Sequence, residues 1–242
     1  MIAAGEGTRL RPLTERWAKP ILPIDGVPVV VTLVHELAAA GCDPITVVTG
    51  HLAEQVEALL APLPYGVRFA RQPHPRGSAD AVARAQPRGP FLMSAADTRY
   101  RPGDVARFAV AAAGGDGAIS VRRQPGRPEY TRIAVDDGRV LRVHDPAADG
   151  GWTAAPLMYV GARLLPFLDP LPGKPPYEMA TVFQLAIDVG VPVSAIEVGR
   201  TRDLTTPVDL VRENFPYLRA AEAAAQRERS GGAGGVGAGT TR

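Results

Sequence analysis

Short apolar runs and helical patterns alternate along most of this chain. Strand-like runs at residues 45–48, 67–70 and 91–95 are separated by helical spacing at 53–60 and 79–85. Strands that alternate with helices predict βαβ units, in which helices cover a mainly parallel sheet on both faces. We therefore expect a Rossmann-like α/β fold, a three-layer α/β/α sandwich around a mixed, mainly parallel central sheet.

The second half of the chain continues the alternation with a hairpin and a late helix. Asp136-Asp137-Gly138 predicts a hairpin turn, and residues 177–189 have helical spacing that stops at Gly190. Further strands are expected at 118–121, 133–135, 140–143, 157–160 and 193–198, and a closing helix over 210–218, broken at Pro216. We predict a catalytic domain over residues 1–218. Residues 219–242 are expected to be a helix end and a disordered glycine-rich tail.

Composition excludes several classes of protein. A net charge of +2 in 242 residues is too small for a nucleic-acid surface, and no apolar run reaches the length of about 18 residues that a membrane span needs. The single cysteine, Cys42, excludes an internal disulfide and fits a reducing compartment. We expect a cytoplasmic protein without a signal peptide and without nucleic-acid or membrane partners; the oligomeric state stays open.

Residues 5–20, G-E-G-T-R-L-R-P-L-T-E-R-W-A-K-P, combine glycines with cations. Glycines allow a tight turn whose N–H groups face an anion, and Arg9, Arg11 and Lys19 add positive charge. Lysine is rare here, since only Lys19 and Lys174 occur among 27 lysines and arginines. This segment predicts a triphosphate site.

Two other phosphate loops do not fit this segment. The third glycine of a dinucleotide fingerprint falls on Leu10, and no Gly-Lys-Ser/Thr follows, as a Walker loop requires. Only four residues precede Gly5, fewer than the strand of about five that such a loop normally follows. We expect either a shortened first strand or a translation start further upstream.

Residues 3–29 closely resemble the opening motif of sugar-1-phosphate nucleotidyltransferases, which make nucleotide sugars from a nucleoside triphosphate and a sugar phosphate. The resemblance implies a triphosphate wrapped by the loop and neutralised by an arginine and a lysine. It assigns nucleotide binding to Ala4, Gly5, Gly7 and Thr8, and catalytic roles to Arg9 and Lys19.

The resemblance also implies a base-reading segment. That family has a glutamine before a G-T/S-A segment, and this chain has Gln72 followed by Gly77-Ser78-Ala79. A glutamine amide can pair with a base edge, and Gly77 would leave room for the ring. Taken alone, Gln72 would be an ordinary surface residue. As a base-reading residue, Gln72 favours uridine or thymidine triphosphate as the substrate.

Two aspartates are implied as ligands of Mg²⁺. Asp97 follows the strand-like run 91–95, although Ala96 stands where the family usually has glycine. Asp203 precedes a T-P-V-D-L segment whose Thr206 or Asp209 would begin the closing helix. Two carboxylates and phosphate oxygens are ligands that suit Mg²⁺. The competing carboxylate, Asp104, is expected to cap a helix instead.

The acceptor half departs from the family pattern. Glu-Lys-Pro is replaced by His144-Asp145-Pro146, which puts a carboxylate where a phosphate-binding lysine is expected. The candidate residues for binding the acceptor in place of this motif are Glu178 and His144, with Arg132, Arg142 and Trp152 as further candidates. The expected reaction joins a nucleoside triphosphate to a sugar 1-phosphate, giving a nucleotide sugar and pyrophosphate. Two alternatives stay open: a non-sugar phosphate acceptor, and a homologue that binds nucleotide without turnover.

Overall fold

The computed structural model describes residues 1–123, 131–148, 150–215 and 217. The predicted domain boundary at residue 218, the tail over 219–242 and the break at Pro216 lie outside these residues. In the described part of the chain, no helix has the length and apolar character to cross a membrane.

Six α-helices and thirteen strands are formed by the described residues. The helices are α1 (Val29–Ala39), α2 (Ala53–Leu60), α3 (Ser78–Arg84), α4 (Asp104–Ala112), α5 (Met179–Asp188) and α6 (Pro207–Asn214). The strands are β1 (Ile2–Ala3), β2 (Pro23–Ile24), β3 (Val27–Pro28), β4 (Ile45–Thr49), β5 (Val67–Arg71), β6 (Phe91–Ser94), β7 (Thr98–Arg99), β8 (Gly117–Arg123), β9 (Ala134–Asp136), β10 (Arg139–Arg142), β11 (Trp152–Val160), β12 (Ser194–Glu197) and β13 (Arg202–Asp203).

The central sheet has a parallel part and a largely antiparallel part. The parallel part has the order β1-β4-β5, and a parallel bridge between Ile2 and Ala95 joins it to the end of β6. From there the order continues β6-β11-β8-β12-β10-β9, in which only β8 and β12 pair in parallel. The predicted mixed α/β sheet is confirmed, and its parallel part carries the glycine loop. The sheet is not mainly parallel as expected, because four of the pairings in its second part are antiparallel.

A hydrophobic core lies on each face of the sheet. Neighbouring residues of one strand enter different cores: Ala118 packs with α1 and α4, whereas Ile119 packs with α3 and α5. This follows from the alternation of side chains along a strand. Two cores on opposite faces make the three layers that the sequence predicts.

Helix α1 was not predicted, because three consecutive valines, Val29 to Val31, are typical of a strand. The helix forms because Val30, Leu33, Val34 and Leu37 share one buried face. Packing of that face against the sheet outweighs the local preference of the valines.

Several local predictions are confirmed. Asp137 and Gly138 both have positive φ, as a two-residue hairpin turn requires, and Gly190 follows α5 with φ of 84°. Thr206 and Asp209 form a reciprocal capping box at the start of α6.

Candidate active site

The glycine loop follows β1 and borders an open cavity of about 290 Å³. Gly7 has φ of 62°, and a Cβ there would lie 3.0 Å from Thr14 Cγ2. Gly5 has nothing within 4 Å of the position of a Cβ, so its backbone is open to the cavity. The buried side chain of Leu10 anchors the turn that follows. The loop therefore exposes the backbone of Gly5 to the cavity, while the buried side chain of Leu10 stabilises its conformation.

The cavity collects most of the residues predicted for the triphosphate. Its lining includes Gly5, Gly7, Thr8, Arg9, Lys19, Asp97 and Thr205. Ala4 is buried at the end of β1, and its carbonyl accepts a hydrogen bond from the backbone of His51. Arg9 is exposed and has no ion-pair partner among the described residues. Its charge is thus available to a ligand.

Lys19 and Asp97 form an ion pair in this cavity, although 78 positions separate them. Lys19 lies in a 3₁₀ turn over Lys19–Ile21, and Asp97 comes three residues after the end of β6. Both side chains keep some exposure, 15% for Lys19 and 29% for Asp97. A ligand entering the cavity can reach both charges.

The second predicted carboxylate, Asp203, lies beside the first. The hydroxyl of Thr98 is 2.7 Å from Asp203 Oδ1 and 3.4 Å from Asp97 Oδ1, so both carboxylates reach one hydroxyl. Asp203 Oδ2 also accepts hydrogen bonds from Thr201 and from the buried guanidinium of Arg122. Thr98 and Arg122 were not predicted, because they are distant from Asp203 in sequence and contact it only after the chain has folded. Thr201, two residues before Asp203, was also not predicted, since no motif marks it.

Burial keeps a neutral phenol next to these carboxylates. Desolvation raises the pKa of the fully buried Tyr100, and the negative charges of Asp203 and Asp97 raise it further, against a hydrogen bond with Ser94. Tyr100 therefore stays protonated and adds no negative charge to the site.

The loop is also tied to helix α2. His51 Nε2 donates to the carbonyl of Thr14 at 2.7 Å. The amide of Gln55 accepts from the backbone N–H of Ala18 and donates to the carbonyl of Arg16, both at 2.8 Å. These residues hold the chain just before Lys19. No sequence motif pointed to either residue.

Gln72 and Gly77 lie near the same edge of the sheet. Gln72 follows β5 and is buried, and its side-chain amide donates to Gly77 O at 3.0 Å and to Asp80 Oδ2 at 2.8 Å. The interpretation that Gly77 leaves room for a nucleobase ring needs correction. A Cβ on Gly77 would lie 2.2 Å from the backbone oxygen of Tyr177, so this glycine admits another segment of the chain.

A hydrogen bond between Ser78, the first residue of α3, and Glu178, the residue before α5, connects the starts of these two helices. The hydroxyl of Ser78 donates to the Glu178 carboxylate and accepts from the backbone N–H of Met179 at 2.8 Å. The predicted acceptor residue Glu178 therefore lies next to the predicted base-reading segment.

His144 is not brought into this arrangement. It is exposed after β10 and does not line the cavity. The other acceptor candidates are engaged elsewhere or exposed: Arg132 donates to the carbonyl of Pro146, the Arg123 guanidinium lies 4.1 Å over the Trp152 ring, and Arg142 faces solvent.

The fold and the cavity define an α/β protein with a glycine-containing loop beside a cavity at the carboxyl edge of its parallel strands. A family model described as nucleotidyl transferase matches residues 1–143, more than half of the chain. The chain belongs to the nucleotidyl transferase family.

Known relatives differ in the molecules they are named for. The chain is 44% identical over 55 residues to a 2-aminoethylphosphonate cytidylyltransferase of Lancefieldella rimae, covering 23% of this chain and 22% of the relative. It is 36% identical over 100 residues to an N-acetylmuramate alpha-1-phosphate uridylyltransferase of Neisseria meningitidis, covering 38% and 43%. The chain thus spans less than half of the length of these relatives.

A solved structure shares the fold. The inositol-1-phosphate CTP transferase of T. maritima superimposes with a TM-score of 0.76 at 17% identity, covering 86% of this chain and 89% of that one. At this identity the likeness concerns the architecture of the chain alone.

Proposed function

We propose that this protein transfers a nucleotidyl group from a nucleoside triphosphate to a sugar 1-phosphate, with release of pyrophosphate. The observation that carries the proposal is the Lys19–Asp97 pair in the cavity of the glycine loop. An ammonium and a carboxylate lie side by side there, which supports a role for Lys19 toward the leaving phosphates and a role for Asp97 toward a metal ion. Membership of the nucleotidyl transferase family supports the same reaction.

The residues of this chain favour a reaction driven by position and charge. An acceptor phosphate oxygen is already anionic near pH 7, so it attacks the α-phosphorus without a general base, and the bond to the pyrophosphate oxygen breaks in line. The open backbone of Gly5 and the charges of Arg9 and Lys19 would bind and stabilise the departing pyrophosphate.

The residues present fit a divalent cation, and we propose Mg²⁺. Asp97 and Asp203 approach one hydroxyl, and Asp97 remains partly exposed in the cavity. No cluster of three or more histidine, cysteine or acidic side chains occurs in the part of the chain that the structure describes. A site with two carboxylates suits Mg²⁺, which keeps waters and takes phosphate oxygens as further ligands. When bound, the ion would neutralise charge on the phosphates.

Nucleobase recognition is proposed for Gln72 and the Gly77-Ser78 segment. Both follow the parallel part of the sheet, where ligands bind in open α/β folds. The acceptor is proposed to lie near Glu178, which contacts Ser78. We further propose that the enzyme works in the cytoplasm, in nucleotide-sugar biosynthesis.

A non-sugar phosphate is the second candidate for the acceptor. Asp145 stands where a phosphate-binding lysine is expected, so the acceptor pocket differs from the usual sugar-phosphate pattern. Two of the proteins to which this chain is similar are named for aminoethylphosphonate and inositol phosphate. Both acceptors carry the anionic oxygen that the reaction needs.

The test is pyrophosphate release over a grid of nucleoside triphosphates and acceptors. Release with a sugar 1-phosphate supports the first proposal, and release only with inositol phosphate or a phosphonate supports the second. Tight nucleotide binding without release from any pair would identify a non-catalytic homologue.

Variants of the cavity residues complete this experiment. Lys19→Ala, Arg9→Ala and Asp97→Ala should each lower turnover by about 10²–10³-fold, as loss of a group that stabilises developing charge does. The matched control is Lys174→Ala, which removes the other lysine, an exposed one that lies outside the cavity lining. Near-normal rates in the cavity variants would overturn the assignment.

A further inference from the structure

Both N–H groups of the Gln72 side-chain amide donate hydrogen bonds within the protein. Nε2 donates to the carbonyl oxygen of Gly77 at 3.0 Å and to Asp80 Oδ2 at 2.8 Å. Both partners accept hydrogen bonds and cannot donate them. The reverse orientation of the amide would place its oxygen against these two oxygens. Chemistry therefore fixes which end of the amide faces inward.

The other end of the amide is left for a ligand. Oε1 of Gln72 accepts no hydrogen bond from the described residues, and it is not one of the buried atoms that lack a partner, so it reaches solvent. The residue as a whole is only 6% exposed. A nearly buried amide with a solvent-reaching oxygen can serve as a fixed acceptor.

Asp80 is itself well placed to hold this orientation. It is buried in the first turn of α3, where the helix dipole favours a carboxylate. Its Oδ2 is also 3.6 Å from Arg84 Nε, one turn further along the helix, which balances its charge. The carboxylate is therefore supported independently of any ligand.

We propose that Asp80 is a positioning residue for nucleotide recognition. It holds Gln72 so that Oε1 faces the nucleobase, and the base binds Gln72 by donating an N–H. This inference rests on the proposed function, because it requires that Gln72 contacts the base of a bound triphosphate. It assigns no direct contact with the ligand to Asp80.

The experiment compares a nucleoside triphosphate with inorganic tripolyphosphate, which has no base. Binding of both is measured by calorimetry with the full chain, using the nucleotide that wild type binds most tightly. Asp80→Ala removes the charged one of the two acceptors of Gln72 Nε2 and leaves only Gly77 O. It should weaken nucleotide binding by roughly tenfold, the size expected for one charge-assisted hydrogen bond. Tripolyphosphate binding should stay unchanged, which also shows that the variant is folded.

Two further variants test the orientation itself. Asp80→Asn keeps an oxygen that accepts from Gln72 Nε2 and should bind nucleotide within about twofold of wild type. Gln72→Glu has no donor for Gly77 O or Asp80, so it should lose nucleotide affinity and keep tripolyphosphate affinity. Equal loss of both ligands in Asp80→Ala, or no loss of either, would overturn the inference.

Failure of the proposed function has a different signature. Wild type would then bind the nucleotide no more tightly than tripolyphosphate, or would bind neither, and the inference would fall with it. Wild type that prefers the nucleotide, together with an Asp80→Ala variant that keeps this preference, would reject Asp80 alone.

Discussion

The hydrogen bonds between Gln55 and the segment that leads from the glycine loop to Lys19 give a prediction with a calculable size. Gln55→Ala removes two hydrogen bonds of 2.8 Å, one from the N–H of Ala18 and one to the carbonyl of Arg16. A neutral hydrogen bond contributes about 1 kcal/mol net. The chain before Lys19 thus loses about 2 kcal/mol of restraint.

That loss should appear mainly as weaker binding of phosphates. A loop released from α2 samples other positions, and binding must then reorder it. If all of this restraint energy contributes to phosphate binding, the affinity for phosphates falls about 30-fold, since 1.4 kcal/mol corresponds to tenfold. The bond from His51 to Thr14 remains, so about 30-fold is the upper limit.

Calorimetry with tripolyphosphate and with nucleotide is the appropriate assay, and both ligands should weaken equally. Gln184→Ala is the matched control. Gln184 also uses both ends of its amide, accepting from the N–H of Val143 and donating to Asp188, and it lies outside the cavity lining. Wild-type tripolyphosphate affinity in Gln55→Ala would refute the reasoning.

Two predictions concern stability. Gly77→Ala places a Cβ 2.2 Å from Tyr177 O, on a residue whose φ is 101°. Calorimetric unfolding of this variant should show a midpoint lower by roughly 6–12 °C. The control is Gly5→Ala, which has open space at the Cβ and should leave the midpoint unchanged. Burial raises the pKa of Glu36 to about 7 from 4.5. The folded state therefore retains a proton, and stability falls as the pH rises from 4.5 towards 7. Glu36→Gln should remove this slope in midpoints measured across that range; an unchanged slope would show another cause.

Local signals predicted much of the architecture. Helix α2 has the predicted bounds, and the predicted strand over 45–48 extends by one residue to Thr49, because spacing and turn residues are readable within a short window. Helix α1 was missed because its valines favour a strand locally, and only the packing of the folded sheet decides between the two. Apart from the predicted β9–β10 hairpin, the antiparallel part of the sheet is built from pairs distant in sequence, such as β8 with β11, and alternation alone did not reveal them.

The site shows the same division. The glycine loop, Lys19 and Asp97 could be named from the sequence, since motifs mark them. The contact of Gln55 with the loop and the approach of Tyr177 to Gly77 could not, because each joins segments brought together only by folding. The sequence suggested that Gly77 is a glycine to leave room for a nucleobase ring. That reason was wrong, because the approach of Tyr177 cannot be read from the sequence.

The shared hydroxyl of Ser78 has a consequence for how the two proposed substrates affect each other's binding. It belongs to the segment proposed to contact the nucleobase, and it also holds Glu178 and the first N–H of α5. Any displacement of Ser78 by an arriving nucleotide would move Glu178 through two hydrogen bonds, one from the hydroxyl and one from the backbone N–H of Ser78. Each substrate would tighten the other by the same factor at equilibrium.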